Sequence, residues 1–205
     1  MSNIDKIYVI NLEHRKDRLT NFMNQMEQVG LKDKVERIDA VYKKEFGLLG
    51  CVKSHILVLD KIINSDYKNV LVCEDDFRFY NRNKAKEYLN SLELNFDYDV
   101  ISFSANEEAS GFTITPSEYL FLNKVSGVQT TSCYLINKNF CKTLYDNFQA
   151  SAYWLERTKN PQSYALDIYW KRLQPISKWY LTNPKLGFQE PGYSDIENKC
   201  VDYNC

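Results

Sequence analysis

The chain has 205 residues, enough for one sizeable core and short for two, so a single domain over residues 1–205 is expected. Its 26 Lys plus Arg and 27 Asp plus Glu leave a net charge of -1, without the basic excess that nucleic-acid or membrane-surface binding draws on. Hydrophobic residues make up 44%, as in ordinary soluble globular proteins, and no run of about 18 apolar residues encodes a transmembrane helix.

Strands and helices alternate through the first half, which predicts an α/β layer architecture with a mostly parallel sheet. Residues 6–12 (KIYVINL) form a first buried strand. In the helix that follows, Leu19, Phe22, Met23, Met26 and Val29 recur at three- and four-residue spacings, and Gly30 stops it. Residues 35–41 are a second strand. A second helix spans 50–66, with Gly47 and Gly50 before its body and Ser54 and His55 in its first turns. Residues 69–74 (NVLVCE) are a third strand, 81–93 a surface helix and 98–104 a fourth strand. Residues 105–119 look like a loop, with Gly111 and Pro116 as punctuation. Two further strands, YLFLNKV and TSCYLIN, are expected to lie across the first sheet. KNFCKTLYDNF is a helix capped by Asn137 or Asn139. A helix over 160–174 has Asn160 as its cap and Pro161 at its first position. KWYLTNP is a last strand before an irregular tail.

Glu74, Asp75 and Asp76 stand in a row at the end of the third strand, and three adjacent carboxylates repel one another. Ligands of open α/β sheets bind outside the carboxyl ends of the strands, so the trio lies where a site is expected. Hard oxygen donors favour Mg²⁺ or Mn²⁺, and Mg²⁺ is commonly held by one or two carboxylates plus substrate phosphates. Glu74 and Asp76, two residues apart, then bracket a cation with Asp75 between them. A solvated acidic turn is the plainer alternative. Asn11, Arg15 and Arg18 follow the first strand at the same end of the sheet, where arginine suits phosphate; alternatively Arg15 and Arg18 pair with Glu13 and Asp17 on an exposed helix face. The 15 Tyr, 11 Phe and 3 Trp suit sugar stacking, and equally suit a core.

Six stretches occur in order: YVINLEHRKDR, ERIDAV, GLLGCVKSH, VLVCEDDFRF, GVQTTSCYLINKNFCKTL and NPKLGFQEPGYSDI. Together they resemble glycosyltransferase family 25, which includes lipooligosaccharide and procollagen galactosyltransferases. The resemblance covers roughly residues 5–196. It implies a GT-A type nucleotide-diphospho-sugar transferase fold, with a mostly parallel central sheet flanked by helices and a metal-binding acid triplet. The implied reaction moves a hexose from a UDP-sugar to a hydroxyl on a glycan or a hydroxylysine, with inversion. The triplet maps onto Glu74, Asp75 and Asp76, with Mn²⁺ or Mg²⁺ as the cation. Asn11, Arg15, Arg18, Ser54, His55, Asp75, Gln189 and Asp195 map onto donor-binding positions, with Glu74 and Asp76 as the metal ligands. No His follows residue 55, so Asp195, water or phosphate is expected to complete the metal shell.

Inversion calls for a base on the acceptor side. Asp167 is the first choice, because a carboxylate on an otherwise apolar aromatic helix face is costly without a partner or a task. An ion pair with Lys171 four residues on is the alternative. Glu107 and Glu108 are second choices. A non-catalytic sugar-nucleotide-binding module and another metal-dependent phosphate-transfer enzyme remain open as alternative functions. No secretory leader is evident, and no Cys-x-x-Cys pair argues for zinc. The six cysteines are therefore expected to be reduced in a cytoplasmic setting, although Cys200 and Cys205 are close enough in sequence to bridge.

Overall fold

Continuous apolar runs produce strands that need cover on both faces. The computed structural model, which describes residues 3–196, 199–202 and 205, supplies that cover. In chain order the elements are β1 (Lys6–Asn11), α1 (Lys16–Gln28), β2 (Val35–Asp39), α2 (Gly47–Ile63), β3 (Asn69–Glu74), β4 (Phe77–Phe79) and α3 (Arg82–Ser91). There follow β5 (Val100–Ser102), β6 (Thr113–Pro116), β7 (Leu122–Ser126), β8 (Cys133–Asn137), α4 (Lys138–Thr158), α5 (Pro161–Tyr164) and α6 (Leu166–Tyr169). After a 3-10 helix at Trp170–Ile176 come β9 (Trp179–Thr182), β10 (Gly187–Gln189), β11 (Gly192–Ser194) and β12 (Lys199–Val201).

Eight strands make the central sheet in the order β2-β1-β3-β8-β5-β9-β7-β6. β1 is parallel to β2 and β3, and β5 is parallel to β9, whereas β8 and β7 oppose their neighbours. Six of the eight strands therefore point the same way, the mostly parallel sheet of the GT-A type. Alternation along each strand divides the core between the two faces. Tyr8, Ile10, Val70, Val72, Tyr134 and Ile136 pack with residues of α2 and α4. Ile7, Val9, Leu71, Cys73, Ile101 and Leu135 pack with residues of α1 and α3.

Several local expectations are corrected. The segment containing β8 does not cross the sheet; it enters the middle antiparallel, with Cys73 opposite Cys133 and Val72 opposite Tyr134. An apolar run marks burial but carries no direction. Residues 105–119 are not wholly loop, since Thr113–Pro116 forms the exposed edge strand β6. α2 begins at Gly47, so both glycines lie inside its first turn and Ser54 and His55 lie deeper than expected. α4 continues ten residues past Phe148 to Thr158, ending at a left-handed Lys159. The helix expected over 160–174 breaks at an extended Ala165, where the Ser151 hydroxyl donates to the Tyr164 carbonyl at 2.8 Å. Asn137 is the cap of α4, accepting from the Asn139 amide at 3.0 Å. The tail contains β10, β11 and β12, and both Cys200 and Cys205 are free thiols. Among the described residues no helix is long and apolar enough to cross a membrane.

Candidate active site

The carboxyl ends of β1 and β3 are neighbours, so their last residues meet. Asn11 ends β1, and its amide nitrogen donates to Asp75 Oδ2 at 2.6 Å and to the Arg15 carbonyl at 2.9 Å. Arg37 on β2 donates to Asn11 Oδ1 at 2.8 Å, which fixes the orientation of the amide. Arg18 reaches back from α1 to Asp75 Oδ1 at 3.2 Å and Asp76 Oδ2 at 2.9 Å. Glu74 is held from the other side: Thr131 donates to its Oε1 at 2.8 Å and the His55 Nε2 lies 3.3 Å from the same oxygen. Behind it, His55 Nδ1 lies 3.1 Å from the Tyr134 hydroxyl, and the imidazole is fully buried.

The antiparallel pairing of β10 with β4 carries the distant Gln189 to the triplet. Gln189 donates to Asp76 Oδ2 at 3.3 Å and the Glu190 amide to the Asp76 carbonyl at 2.8 Å. The tail then passes over the arginines. Arg18 Nη2 donates to the Tyr193 carbonyl at 2.7 Å, and Arg15 Nη1 to Asp195 Oδ2 at 2.8 Å, with His14 Nε2 2.9 Å from Asp195 Oδ1. Arg15 also pairs with Asp17 at 3.0 Å, the exposed-face contact weighed from the sequence.

Electrostatics distinguish the three acids. Burial and the charge of Glu74 push Asp76 up to about 7, against the pull of Arg18. Burial also raises Asp75, opposed by Arg18 and the bond from Asn11. Burial acts to raise Glu74 too, but His55, Thr131 and Arg18 together bring it below the ordinary range. Asp76 Oδ1 is buried without a hydrogen-bond partner among the described residues. An orphaned carboxylate oxygen in a cluster of three acids faced by one guanidinium fits a hard divalent cation. Glu74 and Asp76 are the residues that would hold it.

Two cavities flank the triplet. The first, about 100 Å³, is lined among others by Arg15, Arg18, Asp75, Asp76 and Asp195. The second, about 560 Å³, is lined among others by Thr130, Thr131, Pro161, Gln162 and Asp167. Glu74, Cys51, Gln189 and Ile196 border both. Asp167 sits in the first turn of α6, its carboxyl raised by burial and by the charge of Glu74, while backbone amides of Asp167 and Thr130 favour the ionised form. Lys171 does not form the ion pair weighed for it; its ammonium bonds to the Ser110 carbonyl at 3.1 Å and Gln129 Oε1 at 3.0 Å. Glu108 is exposed and borders neither cavity, and Glu107 pairs with Lys185 at 3.3 Å.

Ser54 acts on the backbone. It donates to the Gly50 carbonyl and accepts from the Val41 amide, both at 2.8 Å, so it holds the 40–43 segment that lines the first cavity. A Cβ on Gly50 would stand 2.3 Å from the Val41 carbonyl oxygen. Gly50→Ala is therefore expected to lower stability by about 1–3 kcal/mol, seen as an earlier urea midpoint at unchanged slope. An unshifted midpoint would count against this tight approach. Thr131 and Tyr134 are site residues not singled out from the sequence, although both lie in the stretch GVQTTSCYLINKNFCKTL that carries the resemblance; Thr131 stands just before, and Tyr134 inside, a buried strand whose place beside β3 has no sequence marker.

The model of "Glycosyltransferase family 25 (LPS biosynthesis protein)" matches residues 45–158. A glycosyltransferase 25 family member of Drosophila pseudoobscura pseudoobscura is 31% identical over 129 residues, covering 49% of this chain and 20% of that protein. One of Aedes aegypti is 28% identical over 127 residues, covering 49% and 21%. The chain spans about a fifth of the length of these curated relatives. Mannose-1-phosphate geranyltransferase from Thermus thermophilus shares the fold at a TM-score of 0.52 and 8% identity, over 88% of this chain and 73% of that one. A glycosyltransferase involved in glycosylation of the major capsid of PBCV-1 does so at 0.52 and 9% identity, over 87% and 81%. The fold is thus the GT-A type, and with the family model matching more than half of its 205 residues, the chain belongs to glycosyltransferase family 25.

Proposed function

We propose that this chain, acting as a single domain, moves a hexose (galactose or glucose) from a UDP-sugar to a hydroxyl of a glycan or hydroxylysine, with inversion. The observation that carries the reading is the pair of cavities meeting at Glu74, with Asp76 and the arginines on one side and Asp167 on the other. The first cavity suits the donor diphosphate and the second the acceptor. Glu74 and Asp76 would hold Mn²⁺ or Mg²⁺, which would supply positive charge to neutralise the leaving diphosphate. Arg15 and Arg18 exchange their contacts with Asp195 and the Tyr193 carbonyl for phosphate oxygens, a fork geometry that guanidinium favours. Asn11, clamped by Arg37, keeps Asp75 turned toward Arg18. Asp167 accepts the acceptor hydroxyl proton as oxygen attacks the anomeric carbon from the face opposite UDP. The proposed setting is a reducing one such as the cytoplasm.

A thermal-shift panel of UDP, GDP and CMP, each with and without Mn²⁺, tests the donor assignment. UDP with Mn²⁺ at about a hundredfold its Kd adds roughly 2.7 kcal/mol, or about 5–10 °C in a domain of this size, and UDP alone adds much less. No shift with any nucleotide would remove the transferase reading in favour of a module that retains only the fold.

A further inference from the structure

Cys51 and His55 lie one turn apart on α2 and so share a face. The end of β3 brings Glu74 against that face, and a ligand atom from each of the three lies within 4.8 Å of the other two. His55 Nε2 and Glu74 Oε1 are 3.3 Å apart, close to the edge of about 3.4 Å in a tetrahedral zinc site. Closing all three donors onto one ion asks for side-chain movements on the order of 1 Å.

The surroundings are those of ligands already oriented. Histidines that bind metals usually engage their other ring nitrogen, and here Nδ1 faces the Tyr134 hydroxyl at 3.1 Å while the rings stack at 5.8 Å. Ligating carboxylates are themselves hydrogen-bonded, and Thr131 bonds to Glu74 Oε1 at 2.8 Å. Cys51 borders both cavities, which supplies an entry path and room for a fourth ligand. A thiolate, an imidazole and a carboxylate select Zn²⁺ over Mn²⁺ or Mg²⁺.

We propose that Cys51, His55 and Glu74 form a second cation site, for Zn²⁺, whose fourth position opens to the cavities. It differs from the hard-cation position at Asp76 in its donors but shares Glu74 with it. Zn²⁺ occupancy therefore competes for a carboxylate of the acid triplet.

Titrating the reduced, metal-free full chain with Co²⁺ tests the site without any donor or transfer assay, so its failure is separate from failure of the transferase reading. The expected result is a thiolate-to-Co²⁺ charge-transfer band in the near ultraviolet, saturating at a single equivalent and displaced by Zn²⁺. The band is lost in Cys51→Ser, kept in Cys200→Ser, and moved to at least about tenfold higher Co²⁺ in His55→Gln. In the wild type, which needs no variant to fold, Zn²⁺ slows alkylation of Cys51 read by peptide mass spectrometry. Absence of the band, its survival in Cys51→Ser, or alkylation of Cys51 at an unchanged rate with Zn²⁺ would each overturn the proposal.

Discussion

Asp76→Asn is expected to cut Mn²⁺-supported turnover of the donor by about 100- to 1,000-fold, the size of effect seen when one electrostatic contact to a developing charge is lost. The substitution removes the charge of the carboxylate whose Oδ1 has no hydrogen-bond partner among the described residues, while Oδ2 keeps a role with Gln189 and Arg18. Stability is expected to move the other way. Burial and Glu74 raise Asp76 from 3.8 to about 7. Between these values the unfolded chain releases the proton and the folded chain retains it, so this group's contribution to stability falls as pH rises from about 4 to 7. Above that window the folded chain carries an unfavourable charge that Asn lacks. In metal-free buffer near pH 8 the variant is then more stable than wild type by an amount on the order of 1–3 kcal/mol, and the gap narrows below about pH 5. Urea denaturation at both pH values measures this, and equal destabilisation of the variant at both would contradict a buried, charge-strained Asp76.

Asp167→Asn is expected to lower transfer by about 10²- to 10⁴-fold while the Mn²⁺-dependent UDP shift stays near the wild-type value. Asp167 lies in the larger cavity, and Lys171 bonds elsewhere. Its carboxyl is raised by burial and by Glu74. A base with a raised pKa loses activity as pH falls through that value, so wild-type transfer declines toward acid earlier than an ordinary aspartate predicts. Steady-state rates with donor and acceptor varied separately check both points. Full transfer by Asp167→Asn would assign the proton to another acceptor-side group.

Much of the framework is legible in the sequence. β1 and β3 follow from unbroken apolar runs, and α1 from the spacing of Leu19, Phe22 and Met26, of which Phe22 and Met26 are fully buried. The acid triplet is legible because charge abruptly follows such a run. What is not legible is pairing between distant segments. Residues 133–137 announce a buried strand, yet only the fold shows that it enters antiparallel between β3 and β5, which is what sets Thr131 and Tyr134 around Glu74 and His55. Gln189 stands 113 residues from Asp76, and no local pattern links them; the family resemblance alone points to that position. The roles of Arg15 and Arg18 are half legible. Their chemistry suits phosphate, whereas here their contacts go to the acids and to the tail. The break at Ala165 has no sequence signature, since Ala is a good helix former and the Ser151 contact comes from another helix.

A cation-dependent UDP-sugar site at Glu74 and Asp76 has a direct functional consequence. The most direct measurement is UDP release from UDP-galactose and UDP-glucose by the purified chain, with Mn²⁺ supplied and then removed by a chelator. Release is expected with at least one of the two donors, lost on chelation and restored by Mn²⁺. UDP release that persists in chelator, or phosphate release from simple nucleotides with no dependence on the sugar, would contradict it.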